Sequence, residues 1–524
     1  MTDADLLTAD APSRRPRAGG RAARVALREA APAADRKPVW AGLPGGQFNP
    51  LSDADLRAIH RAALDLLGTV GIGEATPDLI QLATPFGCRL NAHGRLTFPP
   101  ALVEDLLTKA AREYVIYSRD PAHADLHVGG NRVHYATSGE AVSVLDFDTP
   151  RHRPSTLVDV YNTPRVVDAL PNIPPYGQMV VPTEIVDLVQ ADINVAYTIL
   201  AGTTKPMEHA LTAAEALPPI LELYGMIAGS VDKFRDRPFV SFGGCPIVSP
   251  LRFAADSLDV LIATAREGLI CDIAVAPQAG ATAPTYLAGA LVQVVAETLA
   301  CLCVVNMVRP GTPMSFAAWP FSVDLRTGAF SGGSAEVAVM MAAIAQIGRF
   351  YDVPTTVASS MTDAKMPDAQ MGYEKGITAL AGANRVLESA GMMASLMGVS
   401  FEALVIDNDM LGMAQRVIRG IEVTEETLSV EAIKAAVLGE GHYLGSSDTL
   451  KSMETEFVYP AQADRNSAAV WAAAGSLTME EKARQVAKDL LDGHFPNPIS
   501  PDLDAKIRDR FPILLPPDQM RPLA

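Results

Sequence analysis

Cysteine, aromatic side chains and positive charge are all scarce in this chain. Five cysteines in 524 residues, an odd number, are too few for a disulfide framework. Cys301-Leu-Cys303 ends an apolar run with no histidine nearby, so both are read as packing residues and not as metal ligands. No HxH pair, EF-hand-like acidic loop, Walker loop or spaced GxGxxG after a strand is present, and no metal or nucleotide site is expected. Acids outnumber bases by 60 to 43, for a net charge of −17. Such a chain lacks the basic surface that phosphate contacts require, which argues against nucleic-acid binding. The N-terminus has no apolar signal core. The most membrane-like stretch, 285–305, is interrupted by Gln293 and Glu297 and reads as a buried helix and not a membrane span. The expected setting is the cytoplasm.

Hydrophobic residues make up 48% of the chain, ample for packed domains of this length. Residues 1–45 are rich in Ala, Pro and Arg and read as a disordered tail. Residues 46–130 read as an α-rich cap, opened by Ser52 as helix N-cap before the stripe Leu56, Ile59, Ala63, Leu66 and Leu67. From 131 to 408 short apolar or β-branched runs alternate with helical patterns. Candidate strands begin near Val133, Gly177, Pro206, Phe239, Ile270, Pro313, Thr355 and Arg385. Eight strand–helix units predict an α/β protein built on a (β/α)8 TIM barrel, with a doubly wound sheet as the alternative. Residues 409–524 read as a helical C-terminal extension with a Pro-rich strap at its end; its apolar helices suit a homo-oligomer.

In a barrel, reactive groups come from the loops after the strands. Two such loops stand out. The first, Met361 to Lys375, brings Asp363, Lys365, Asp368 and Gln370 directly after the β-branched run Thr355-Thr356-Val357. Either Asp363, Lys365 and Gln370 act in catalysis, or Asp368 merely caps the next helix and Lys365 is solvated. The second holds Phe316, Trp319 and Phe321 within six positions in a chain with only 6% aromatics. These are either core residues or a cage for a cation, since ring faces attract ammonium by about 0.5–2 kcal/mol each.

The chain resembles the trimethylamine methyltransferase family of corrinoid-dependent methylamine and betaine methyltransferases. The resemblance runs from about Leu51 to Pro501. It is carried by Gly139-Glu-Ala with Asp146 and Thr156, Lys205-Pro-Met-Glu-His209, Gly280-Ala-Thr-Ala-Pro-Thr with Gly289 and Glu297, Asp324-Leu-Arg-Thr-Gly328 with Gly332 to Glu336, and the block Thr362 to Lys375. Leu404-Val-Ile-Asp-Asn408 and Asp464-Arg465 before Trp471 complete the set. The resemblance implies a TIM barrel that moves a methyl group from a methylated amine to the Co(I) of a partner corrinoid protein. Archaeal trimethylamine enzymes of this kind carry pyrrolysine; this chain has only standard residues and is similar to the branch associated with quaternary amines such as glycine betaine. On that footing Tyr135, Phe316, Trp319 and Phe321, with Tyr373, would form the cage. His209, Arg326 or Lys365 would bind a substrate carboxylate, and Gln278, Asp363 and Gln370 would orient polar groups. The chain shows no cobalamin motif of the DxHxxG kind, so cobalamin is expected on a separate protein. Two alternatives remain open: a lyase or hydrolase using Asp363, Lys365 and Glu388 without corrinoid, and a non-catalytic betaine-binding protein.

Overall fold

The computed structural model describes residues 37–382, 386–444 and 446–520. The N-terminal tail as far as residue 36, and Arg385, lie outside the described residues. The chain divides into two compact units, one of Val39–Thr424 with Val458–Ala524, the other of Met1–Pro38 with Glu425–Phe457. In the smaller unit the short helix Val430–Val437 carries exposed apolar side chains, and Lys451 pairs with Glu426.

The larger unit repeats one plan eight times. Strands β1 (Arg132–Ala136), β2 (Tyr176–Gly177), β3 (Met207–Ala210), β4 (Val240–Gly244), β5 (Cys271–Ile273), β6 (Met314–Ala317), β7 (Thr355–Ala358) and β8 (Val386–Glu388) are each followed by a helix. These helices are α1 (Leu157–Asp168), α2 (Leu188–Gly202), α3 (Leu217–Ala228), α4 (Ala255–Glu267), α5 (Leu287–Val308), α6 (Ala335–Tyr351), α7 (Ala369–Ala381) and α8 (Phe401–Arg419). The strands pair in parallel in the order β2-β3-β4-β5-β6-β7-β8-β1, and Leu43–Pro44 adds an antiparallel edge to β1. The result is a curled, nine-stranded, mostly parallel sheet wrapped by helices. Between β1 and β2 there is no strand ladder. Instead Thr137 Oγ1 donates to Gly177 O (2.7 Å) and accepts from Gly177 N (2.9 Å), and Ala141 and Val180 form an isolated parallel bridge.

Side-chain caps start these helices where the sequence offers them. Thr156 and Asp159 form a capping box on α1, Asp187 caps α2, Ser334 caps α6, Asp368 caps α7 and Ser400 caps α8. Helix α5 is long and apolar enough to cross a membrane, but most of it is buried. The N-terminal helices Asp53–Thr69 and Pro100–Lys109 pack over it, which gives the cap its place in the fold. Its one carboxylate, Glu297, accepts from Leu251 N (2.7 Å), Ser249 Oγ (2.8 Å) and Gln293 Nε2 (3.0 Å).

The amino ends of the strands are plugged from below. The hairpin Glu113–Ile116 with Leu126–Gly129 packs Tyr114, Ile116, Leu126 and Val128 against Ala136, Ile270 and Val386. On the outside, helix Met479–Gly493 lies on α1 and α8, and Arg165 of α1 donates to Leu491 O and His494 O and stacks on Phe495. The boundary read between 408 and 409 falls inside α8, which runs unbroken to Arg419.

One ion pair fastens the last two units. Lys375 Nζ on α7 donates to Asp407 on α8 (2.8 Å) and to Ser360 O (2.7 Å), while the same Asp407 oxygen accepts from Gly391 N (2.6 Å). Both side chains are fully buried. Removing one member strands the other charge in a dry interior. Lys375→Met or Asp407→Asn alone is expected to lower stability by about 3–5 kcal/mol, and the double variant Lys375→Met/Asp407→Leu by less than either. Denaturant midpoints of the three variants against the parent chain check this.

Candidate functional site

Alternation along the strands decides what faces the inside of the curl. On β6, Ser315 points inward and hydrogen-bonds Asp272 and, at 3.2 Å, Thr356 Oγ1. Two-residue alternation then sends Phe316 outward, where its ring meets Tyr351 of α6 edge-on at 5.7 Å. On β3 the inward position is Glu208 and the outward one His209. On β1, Ala136 faces in and Tyr135 out. The concave face therefore carries small and polar side chains, and three of them are acids: Glu208 on β3, Asp272 on β5 and Glu388 on β8.

Above this layer, at the carboxyl ends of the strands, lies a hollow of about 130 Å³. Its floor is Glu208, Asp272 and Glu388. Ser138 to Glu140 after β1 and Gly244-Cys245 at the end of β4 form part of its wall. Trp319 and Phe321 form another part. They are held by an extension of β5 and β6, in which Trp319 N donates to Val275 O and Phe321 N to Pro277 O, both at 2.8 Å. Phe321 is braced edge-on by Phe330 at 4.9 Å.

Glu208 is seated between two glycines. A methyl group on Gly177 of β2 would come within 2.6 Å of one carboxylate oxygen, and one on Gly243 of β4 within 2.5 Å of the other. Both positions therefore need glycine for clearance. Burial pushes the carboxyls of Glu208 and Glu388 well above the usual range; Asp272 raises both further, with Glu140 adding to Glu208 and Glu208 adding to Glu388. Burial raises Asp272 as well, held back by hydrogen bonds from Ser315 and Ser241. Glu140 opens into the hollow yet is enclosed by the protein around it; burial, with Asp192 adding to it, lifts it to about 7. No Lys, Arg or His is among the described lining residues. Nor, among the described residues, do any three His, Cys, Asp or Glu side chains form a group that could hold a metal ion. A site of this composition attracts a compact cation, and two aromatic faces strengthen it for an organic one.

Of the residues nominated for the methyltransferase site, Trp319 and Phe321 line the hollow and the others do not; Glu388, nominated for the acid–base alternative, lies on its floor. Phe316 packs under α6. Tyr135 is buried under α7, its hydroxyl donating to Ala379 O (3.1 Å). His209 is buried behind β3 with Nδ1 2.9 Å from the Tyr224 hydroxyl, and burial holds its imidazole down to about 3, which keeps it neutral. Tyr373 is 58% exposed on α7. Arg326 extends into solvent and pairs with Asp324. Gln278 joins the small sheet beyond β5, where its backbone N–H donates to Thr282 Oγ1 at 2.9 Å.

The Asp363 loop is a fastening and not a pocket wall. Asp363 accepts from Ser331 Oγ (2.5 Å), Gly332 N (2.8 Å) and Ser395 Oγ (2.8 Å), tying together the loops after β6, β7 and β8. Gln370 donates to Glu374 (2.9 Å), which also receives Thr362 Oγ1 and Asp363 N. Lys365 is exposed, and its ammonium donates back to Asp363 O. Sequence reasoning passed over Asp272 and gave Glu208 and Glu140 no role, and it placed Glu388 only in the acid–base alternative. The available signal was a lone acid inside each of three short buried strands, Met-Glu-His-Ala, Cys-Asp-Ile and Val-Leu-Glu.

Comparison with known proteins follows the same outline. The family model described as trimethylamine methyltransferase (MTTB) matches residues 17–511. The trimethylamine methyltransferase of Methanosarcina thermophila is 30% identical over 474 residues, covering 88% of this chain and 96% of its own. That of Desulfitobacterium hafniense is 30% identical over 464 residues, covering 87% and 92%. The glycine betaine methyltransferase of Desulfitobacterium hafniense is 28% identical over 467 residues, covering 88% and 96%.

The electrostatics give the hollow a definite pH response. Acids with raised pKa values are partly protonated when the hollow is empty, and a bound cation favours their ionised form. Binding near pH 6 therefore releases protons. Affinity for tetramethylammonium is expected to rise by up to about tenfold per pH unit across roughly pH 5 to 8, the range in which Asp272, raised to about 6, and Glu140, raised to about 7, ionise. Calorimetric titrations in buffers of different ionisation heat check both the slope and the release.

Proposed function

The chain belongs to the trimethylamine methyltransferase family and is a methyltransferase, and we propose that it takes a methyl group from a small quaternary amine and delivers it to the Co(I) of a corrinoid carried by a separate protein. The observation that carries this reading is the hollow itself: two aromatic rings over an acid floor, with no basic group among the described lining residues. We read the curled sheet as a closed (β/α)8 barrel. The reasons are the parallel β8–β1 ladder and the Thr137 and Ala141 contacts that join β1 to β2. In such a barrel the hollow occupies the carboxyl-terminal mouth, where barrel enzymes keep their chemistry.

Displacement of a methyl group from a quaternary nitrogen leaves a neutral tertiary amine, so no acid has to protonate the leaving group. The protein's task is then to bind, aim and dehydrate. Trp319 and Phe321 hold the methylated nitrogen by their ring faces. Glu208, Asp272 and Glu388 supply counter-charge from below. The hairpin that carries Tyr114 closes the lower end to water. Holding the reacting carbon in line contributes several kcal/mol to lowering the barrier. A hollow of about 130 Å³ fits a small ammonium compound and not a corrin ring, so the corrinoid fits only above the mouth. Docked there, it supplies the nucleophile that accepts the methyl group. The acid–base alternative loses its two main groups: Asp363 and Lys365 lie outside the hollow, and only Glu388 remains in it. A cytoplasmic setting is part of the proposal, and the five unpaired cysteines support it.

The test is methylation of a Co(I) corrinoid protein by a panel of quaternary amines, followed by the cobalt absorbance. Turnover with at least one of them is expected. Trp319→Ala should lower kcat/KM by about 10- to 100-fold. Lys365→Ala should stay within twofold of the parent chain. Failure of the whole panel, or an equal loss in both variants, rejects the site.

A further inference from the structure

The hollow is specific about charge on both ends of a ligand. Its described lining carries Glu140, Glu208, Asp272 and Glu388 and no basic side chain. The three basic groups that sequence suggested for an anionic arm stand elsewhere: His209 is neutral behind β3, and Lys365 and Arg326 are in solvent. A ligand carboxylate would meet four protein acids without a counter-ion, where little water is available to screen them. One donor, by contrast, is vacant. Trp319 is only 6% exposed, it lines the hollow, and its indole N–H has no acceptor among the described residues. A buried N–H left unpaired is unfavourable, and an oxygen on the ligand would satisfy it. The volume sets the size: a cavity of 150 Å³ is known to hold benzene, so about 130 Å³ suits roughly six to eight non-hydrogen atoms.

Resting on the reading of this hollow as the quaternary-amine site, we propose that the preferred substrate is a compact onium alcohol of the choline type. Its ammonium lies against Trp319 and Phe321 over Glu208, Asp272 and Glu388. Its neutral oxygen accepts from Trp319 Nε1. The four acids act as specificity determinants by disfavouring an onium compound that carries its own carboxylate. The preference is a difference of affinities: the vacant donor raises the alcohol above tetramethylammonium, and like-charge contact lowers glycine betaine beneath both.

Cys245 provides a readout that needs no substitution. It is the exposed member of the five free cysteines, and its thiol opens into the same hollow. Burial and the neighbouring Glu140 and Glu208 push that thiol up to about 12, so its reaction is slow and the ratio between reagents carries the information. Choline, tetramethylammonium and glycine betaine are titrated calorimetrically into the full chain at pH 8. In parallel Cys245 is labelled with a trimethylammonium-bearing and a sulfonate-bearing thiosulfonate. Choline is expected to bind at least tenfold more tightly than glycine betaine. In Trp319→Phe the ratio of choline to tetramethylammonium affinity should fall to near one. The cationic reagent should react at least tenfold faster than the anionic one, and choline should protect against it. Glycine betaine binding as tightly as choline, or equal labelling rates, overturns the inference and leaves the methyltransferase reading intact. Absence of binding by all three compounds overturns both.

Discussion

Everything distinctive about this molecule follows from acids enclosed without a base. Four carboxyl groups face one small hollow, and burial raises the pKa of each. Proteins normally resolve such an arrangement with an arginine, a lysine or a metal. Here the described lining offers no basic residue, and hydrogen bonds from Ser138, Ser241 and Ser315 compensate only in part. The arrangement is therefore a standing demand for a cation, kept tolerable in the empty state by partial protonation. A permanent onium is a suitable answer. It cannot lose its charge by giving up a proton, and its methyl groups pack against ring faces as well as alkyl carbon does.

The fold is organised to sustain that demand. Parallel strands place one inward residue each at nearly the same height, so acids on β3, β5 and β8 converge although they are far apart in sequence. Gly177 and Gly243 clear the space that the Glu208 carboxylate occupies. The Tyr114 hairpin closes the underside, and burial of this kind is what keeps the acids' pKa values high. Around the rim, Asp363 binds three loops together, while the Lys375–Asp407 pair holds the backbone at Ser360 and Gly391. The Asp363 loop drew attention in the sequence because it is dense in polar residues. Its work is to keep the rim rigid, and rigidity is what positioning requires.

The same contrast explains what could be read from the sequence. Strand–helix alternation placed the starts of the parallel strands to within a residue or so, because punctuation such as Glu267-Gly268 and Asp352-Val353-Pro354 acts locally. The helix cap at Asp368 was legible for the same reason, as one of the two readings of its loop. Side-chain direction was harder. Tyr135, His209 and Phe316 sit on the right strands but on the helix-facing side. A two-residue period tells alternate faces apart only once one inward residue is known. Ser315 supplies that reference in the structure, and from it Trp319 and Phe321 follow. Arg326 and Tyr373 misled for another reason: their types suit ligand binding, but a long loop and an outer helix face carry them into solvent. The acid floor was not legible as a group, although Glu388 was singled out alone, because single acids in short strands resemble ordinary strand ends until the strands are brought side by side.

A division of labour follows from the reaction's own electrostatics. During methyl transfer from an onium the positive charge leaves the nitrogen, and the product amine is neutral. The acids that hold the substrate therefore lose their partner as the reaction proceeds. Strong charge pairing would stabilise the bound substrate more than the transition state and slow the step. The raised pKa values moderate this effect: a carboxyl group that can take back a proton when the cation disappears is less costly to leave unpaired than one fixed in its ionised form. Proton uptake on product formation would then help release the neutral amine from a floor that no longer has a charge to bind. On this view the enclosure that raises the acids' pKa values serves capture and release alike, and the aromatic wall supplies the contact that stays useful through both.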